Sequence, residues 1–203
     1  GTDVSCNGGN DGTSTVSASG GTPPYTGDGT VTGLSAGTYS YTVTDNNGCS
    51  ATCSVTISEP SALTLGSSST DVSCNGGNDG TTTVTATGGT PPYTGDGTVT
   101  GLSAGTYTYT VTDNNGCSAT VSVTVNEPAV LTLSCSGTDV SCNGGNDGTT
   151  TVAASGGTAP YTGDGTVTGL SAGTYTYTVT DNNGCSATCS VTISEPAVLT
   201  LSC

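Results

Sequence analysis

The chain has 203 residues with no Lys, Arg or His, and its 15 acidic groups give a net charge of −15. Such a surface makes nucleic acid and anionic membrane poor partners. There is no His for a base, no Lys for an amine nucleophile and no Arg for an oxyanion. The carboxylates that remain, such as Asp28 and Asp45, sit in turns with no sign of an enclosed pocket, so we read the chain as non-catalytic. In chain order, residues 2–6 read as a short strand. Asn7-Gly8-Gly9-Asn10-Asp11-Gly12 is a loop dense in turn formers. Residues 13–19 form the next strand with Val16 and Ala18 inward, broken by Gly20-Gly21-Thr22-Pro23-Pro24 because proline lacks the ladder N–H. After Tyr25 a Gly27-Asp28-Gly29 turn leads to a short strand over residues 30–34.

The hairpin that follows is the clearest element. In GTYSYTVTDNNGC, residues 37–49, Tyr39, Tyr41 and Val43 share one face while Thr38, Ser40, Thr42 and Thr44 share the other. A period of two marks a strand with one face in a core and one in water. Asp45-Asn46-Asn47-Gly48 supplies the turn, because Asn and Gly tolerate positive φ and Asp and Asn side chains bond nearby backbone. Ala51, Cys53, Val55 and Ile57 then alternate with Ser50, Thr52, Ser54 and Thr56, which predicts arms of about ten residues each. Glu59-Pro60 ends the hairpin, and residues 61–67 form another strand with Leu63 and Leu65 on one face. No segment has helical periodicity, so the fold class is all-β, a row of sandwiches.

Cys6 recurs as Cys74 and Cys142, and Cys49 as Cys117 and Cys185, a period of 68 residues in every case. A fixed period of this length means a row of similar units. Without Phe, Trp or Met, nine Tyr are the only aromatics, and cores this small need staples. Ten Cys in a chain without His fit disulfides rather than zinc, and disulfides imply an oxidising, extracellular compartment. No apolar run approaches the roughly 20 residues of a membrane span, so no membrane insertion is expected. The chain opens at Gly1 within the repeat pattern and without a signal peptide, and reads as a mature or trimmed product.

Glu-Pro sets the unit boundaries better than Gly1 does. Units of 61–128 and 129–196 are then complete, 1–60 is a unit lacking its first strand, and 197–203 is a first strand with no unit behind it. The repeated cysteines are expected to pair within units, as Cys6–Cys49, Cys74–Cys117 and Cys142–Cys185. The other four follow a parity. The third unit has both Cys135 and Cys189, the second has Ser67 and Val121 in their places, and the first has Cys53 without the strand that would carry its partner. An all-or-none pattern is expected of a bonded pair, so Cys135 is assigned to Cys189, and Cys203 to Cys53 of a neighbouring subunit.

Leu34-x-x-Gly37-x-Tyr39-x-Tyr41-x-Val43-x-Asp45 looks like the corner-tyrosine strand of immunoglobulin-like sandwiches. The whole unit, VSCNGGNDG, then GGTPPYT, then LSAGTYTYTVTDNNGC, then Glu-Pro, resembles the SprB-type repeat of the surface adhesins of gliding bacteria. The resemblance covers essentially the whole chain. One departure is that Tyr25, Tyr93 and Tyr161 lead straight to Thr-Gly-Asp-Gly, where that family commonly has an aromatic strand with Trp. The resemblance implies an exported surface protein of tandem immunoglobulin-like sandwiches and no catalytic activity.

Asp11, Asp28 and Asp45 lie in oxygen-rich loops and are the candidates for calcium, a hard cation wanting six to eight oxygens. No EF-hand spacing or nonapeptide repeat accompanies them, and Asp and Asn favour turns for backbone reasons alone. The outward Thr and Ser rows offer sites for O-linked sugar, a flat ice- or glycan-binding array, or a plain solvated surface. The Gly-rich loops lack the Lys and the helix of a phosphate site. There is no Cys-x-x-Cys, and Cys49-x-x-x-Cys53 has the wrong spacing for redox chemistry. With no Lys, Lys–Asn isopeptide crosslinks are excluded as well. The reading that follows is a structural subunit of an extracellular filament. It self-associates head to tail by donating Val198, Leu199, Leu201 and Cys203 to the next first unit. The alternative is the stalk of one long continuous adhesin. In either case Glu-Pro is expected to hold successive sandwiches nearly end to end.

Overall fold

The computed structural model describes residues 1–203, and all fourteen of its elements are strands. The second repeat comprises β5 (Thr64–Thr70), β6 (Gly80–Thr87), β7 (Gly97–Leu102), β8 (Gly105–Thr112) and β9 (Ser118–Val125). The third comprises β10 (Thr132–Thr138), β11 (Gly148–Ser155), β12 (Gly165–Leu170), β13 (Gly173–Thr180) and β14 (Ser186–Ile193). Each has a three-stranded sheet, β5-β6-β7 or β10-β11-β12, and a separate hairpin, β8-β9 or β13-β14. The first repeat has only β1 (Gly12–Val16) and β2 (Gly29–Leu34) in one sheet and β3 (Gly37–Thr44) with β4 (Ser50–Ile57) in the other. Its three-stranded sheet is thus one strand short.

By compactness the chain divides in two. Residues 1–68, 83–98 and 107–123 form one unit, and 69–82, 99–106 and 124–203 form the other, so the second repeat is shared between them.

The hairpin has the register that alternation dictates. Tyr39 faces Val55, Tyr41 faces Cys53 and Val43 faces Ala51 on one side, while Thr38 faces Thr56 and Thr42 faces Thr52 on the other. The arms are eight residues long, not ten, because the Asp45–Gly48 turn takes the rest. The corner tyrosine is present: Tyr39 donates its hydroxyl to Ser35 O at 3.0 Å and Tyr175 to Ser171 O at 2.9 Å, bonds of the kind that pin the corner of immunoglobulin-like sandwiches. Val4, Leu34 and Ile57 form the first core, with Tyr39 and Val55 packed against it.

Two strand assignments change. Residues 2–6 do not form a strand; only Thr2 bridges to Thr13. Beyond it, side chains take the amides a ladder would need: Asp11 accepts from Ser5 N at 3.0 Å, and Asp3 accepts from Ser58 N at 2.8 Å. The strand expected over residues 13–19 stops at Val16, whereas its counterparts β6 and β11 run eight residues. Those counterparts have a neighbour on both edges, and β1 has one only.

Candidate functional site

In the third repeat β10 lies along β11 with Thr132 opposite Ser155, Leu133 opposite Ala154 and Cys135 opposite Val152. Ahead of β10, Ala129 O accepts from Gly157 N at 2.8 Å. Cys135 is bonded to Cys189 with their Cα atoms 6.1 Å apart, the expected pair, and this ties the three-stranded sheet to the hairpin. Under this first strand Val179 is fully buried and Asp181 nearly so. The second repeat is built alike: Ser61 O accepts from Gly89 N at 2.8 Å, Val111 is fully buried and Asp113 nearly so.

The first repeat has the same residues and no first strand. What remains is an open groove of about 370 Å³, lined among others by Val16, Ala18, Val43, Ala51, Cys49 and Cys53. Val43 is only half-buried, and Ala51 and Cys53 are exposed where Ala119, Ala187 and Cys189 are half-buried. Gly21, the counterpart of Gly89 and Gly157, has no carbonyl in front of its amide. Residues 197–203, AVLTLSC, repeat residues 129–135 letter for letter. They join no strand, and Val198, Leu199 and Leu201 are 62%, 89% and 91% exposed.

The repeated cysteines pair across repeats, which corrects the within-unit assignment. Cys6 is bonded to Cys117 and Cys74 to Cys185, each with Cα atoms 5.7 Å apart. Cys49 and Cys142 are free, so neither Cys6–Cys49, Cys74–Cys117 nor Cys142–Cys185 exists. The reason is strand length. The loop carrying Cys6 is moored at the open end of its own hairpin: Val4 N donates to Ser58 O at 3.0 Å, and Gly8 N to Glu59 Oε2 at 2.6 Å. Cys49 sits at the turn end of that hairpin, beyond the whole of β4. Eight strand residues span about 27 Å, whereas a disulfide needs its Cα atoms within about 7 Å. The turn end that reaches Cys6 belongs to the following hairpin. There Asn115 Nδ2 donates to Ser5 O at 2.9 Å and Cys117 Sγ lies 3.4 Å from the same oxygen. Asn183 and Cys185 make the same two contacts with Ser73 O, at 2.9 and 3.4 Å.

The calcium candidates do not gather. No three Asp, Glu, Cys or His side chains come together. Asp45 is the hub of its own turn, accepting from Thr22 N at 3.0 Å, Asn47 N at 2.9 Å and Cys49 N at 2.8 Å. The Thr22 amide above all, then that of Cys49, holds its carboxyl below the usual aspartate range. Asp11 is held low by the Ser5 hydroxyl and amide. Asp28 lies in the turn before β2 and is exposed. On the hairpin's other face the hydroxyls meet in cross-strand pairs, Thr38 with Thr56 at 3.1 Å and Thr174 with Thr192 at 3.0 Å.

Three stretches of the chain, residues 2–26, 66–94 and 136–162, match the SprB repeat. No curated protein matches it. Among solved structures, it is similar to the N-terminal eight Ig domains of Down Syndrome Cell Adhesion Molecule isoform 1.30.30. The identity is 14% and the TM-score 0.42, over 83% of this chain and 30% of that one, so this chain spans under a third of its length. The three matches fall one in each 68-residue period and cover the opening part of each repeat.

Proposed function

We propose that this chain is the structural subunit of an extracellular surface filament that grows head to tail, residues 197–203 of one copy filling the first-repeat groove of the next. One observation carries the reading. The groove is open in the repeat that lacks a first strand, and the seven residues that fill it in the third repeat recur, identical and exposed, at 197–203. By the register of β10 on β11, Leu201 lies opposite Ala18 of the next copy and Cys203 opposite its Val16. Ala197 O meets the Gly21 amide, and Cys203 bonds to Cys53 as Cys135 does to Cys189. Burying Leu199 and Leu201 contributes about 1.5–3 kcal/mol each, on top of the added ladder bonds, which is β-strand addition. The contact joins unlike surfaces and does not close on itself, so it yields an open polymer. The work of such a polymer is mechanical, in keeping with a chain that has no Lys, Arg or His. Its setting is the oxidising cell exterior, where disulfides persist.

Removing residues 197–203 should abolish assembly, and a synthetic AVLTLSC peptide should bind the parent chain and block its growth. Reduced and denatured native material should run as subunits of 19.4 kDa. Polymers formed without residues 197–203 would overturn donor-strand exchange. Native material that stays long after reduction would instead identify the stalk of a continuous adhesin, in which the same strand follows by peptide bond.

A further inference from the structure

The third-repeat hairpin receives two disulfides. Cys189, on β14, is held by Cys135 of the first strand in its own repeat. Cys185, at its turn, is held by Cys74, in the loop of the preceding repeat. The first-repeat hairpin carries cysteines at both of these positions, Cys53 and Cys49, and both are exposed and unbonded. The two cysteines that would complete it are also free and exposed: Cys203, at the end of the strand that repeats β10, and Cys142, in the third-repeat loop. Cys142 differs from its counterparts in one respect. Cys6 and Cys74, covered by the next hairpin turn, are half-buried, while Cys142 is exposed.

We infer that Cys142 of one copy is disulfide-bonded to Cys49 of the next, beside Cys203–Cys53, so that the junction reproduces both bonds of the third-repeat hairpin. This rests on the head-to-tail reading, but on a different observation. Donor-strand exchange comes from the open groove, and the second bond comes from the two internal loop-to-turn disulfides. The two rules agree on the partner. The first-strand rule sends Cys203 to the following hairpin, and the loop-to-turn rule sends Cys142 to the same hairpin. Cys49 and Cys53 both line the same groove. Docking the strand therefore brings Cys142 to Cys49 without a second encounter, and Asn47 Nδ2 comes to face Ser141 O as Asn115 faces Ser5 O.

Each bond converts two thiols to a disulfide, releasing two protons and two electrons. The electrons pass to a disulfide oxidant, such as the disulfide of a thiol oxidase, which leaves as two thiols. The first subunit thiolate attacks the oxidant to give a mixed disulfide, and the second displaces it.

The test uses filaments assembled oxidatively from full-length chains, half of them isotopically heavy. Free thiols are alkylated, and samples are run denatured without reductant and mapped for disulfide-linked peptides. In the parent, heavy–light pairs joining Cys142 to Cys49 should equal those joining Cys203 to Cys53. Cys53→Ser should keep a covalent ladder through Cys142–Cys49, and Cys49→Ser should keep one through Cys203–Cys53. The double variant should still assemble natively yet run denatured as single chains of 19.4 kDa. If Cys53→Ser alone reduces the ladder to single chains while native filaments persist, or if Cys142 is alkylated in parent filaments, the second bond is refuted and the filament stands. If the parent forms no filaments, the filament reading falls and this bond falls with it.

Discussion

The second repeat carries Ser67 and Val121 where the third has the Cys135–Cys189 bond, so the chain contains its own control for removing that bond. Replacing Cys135→Ser together with Cys189→Val turns one site into the other. The bond closes a loop of 54 residues. In the chain-entropy treatment that loop restricts the unfolded state by about 14 cal/mol/K, or about 4 kcal/mol at room temperature. Valine at a half-buried position returns up to about 1 kcal/mol of apolar burial. A net loss of about 3 kcal/mol raises the opening equilibrium of β10 on β11 by about a hundredfold. Native-state hydrogen exchange read by mass spectrometry resolves this by segment. The amides of β10 and β11 should lose that much protection while those of β5 and β6 keep theirs, and the third repeat should still fold. Unchanged protection in β10 would show that the bond only decorates a ladder already complete. Loss of the fold would show that the second repeat's pair is no substitute, and either result refutes the reasoning.

The turn aspartates should give a pH signature. Asp181 accepts from Thr158 N, Asn183 N and Cys185 N at 2.8–2.9 Å, and the Thr158 amide chiefly holds its carboxyl below 3.8. A lowered folded pKa contributes stability that is complete above the unfolded value and lost as pH falls through the folded one. The melting-temperature gap between parent and Asp181→Asn should therefore narrow on acidification below 3.8, and a gap of constant width would refute the role. The inward tyrosines should respond unequally. Thr150 Oγ1 donates to Tyr177 OH at 2.6 Å, whereas Tyr41 OH is buried with no partner and Ser14 stands where Thr150 does. Tyr177→Phe should cost about 1–3 kcal/mol by stranding the Thr150 hydroxyl, and Tyr41→Phe about nothing. Equal costs in denaturant unfolding would remove the distinction.

Alternation made the hairpin and its register legible, because Tyr39, Tyr41, Val43, Val55 and Ile57 must share a face whatever else the chain does. Parity made Cys135–Cys189 legible, since both cysteines are present or replaced together in the two complete units. The Cys6 class was not legible by either route. In a strict repeat, pairing within a unit and pairing to the next use the same letters in the same phase. What decides between them is the length of β4 and the mooring of Val4 at Ser58, a contact between residues that no pattern joins. Residues 2–6 misled for a related reason: their alternation is genuine, but Asp3 and Asp11 divert the amides that a ladder would use. The open groove was legible only as a missing strand, and its half-exposed Val43 and bare Gly21 amide needed coordinates.

The pairing of each loop with the following turn also governs how far the chain can be drawn out. Along the backbone Cys6 and Cys185 are 179 residues apart (185 − 6), a contour of about 600 Å at full extension. The shortest covalent route is different. It crosses from Cys6 to Cys117, runs forward to Cys135 (135 − 117, 18 residues), crosses to Cys189 and steps back to Cys185 (189 − 185, four residues), about 75 Å in all. Nearly nine tenths of that contour is thereby withheld from a pull between Cys6 and Cys185. The tether that takes the strain is residues 117–135, between the second repeat's hairpin turn and the third repeat's first strand, so the array behaves as a short leash even after its sheets have opened.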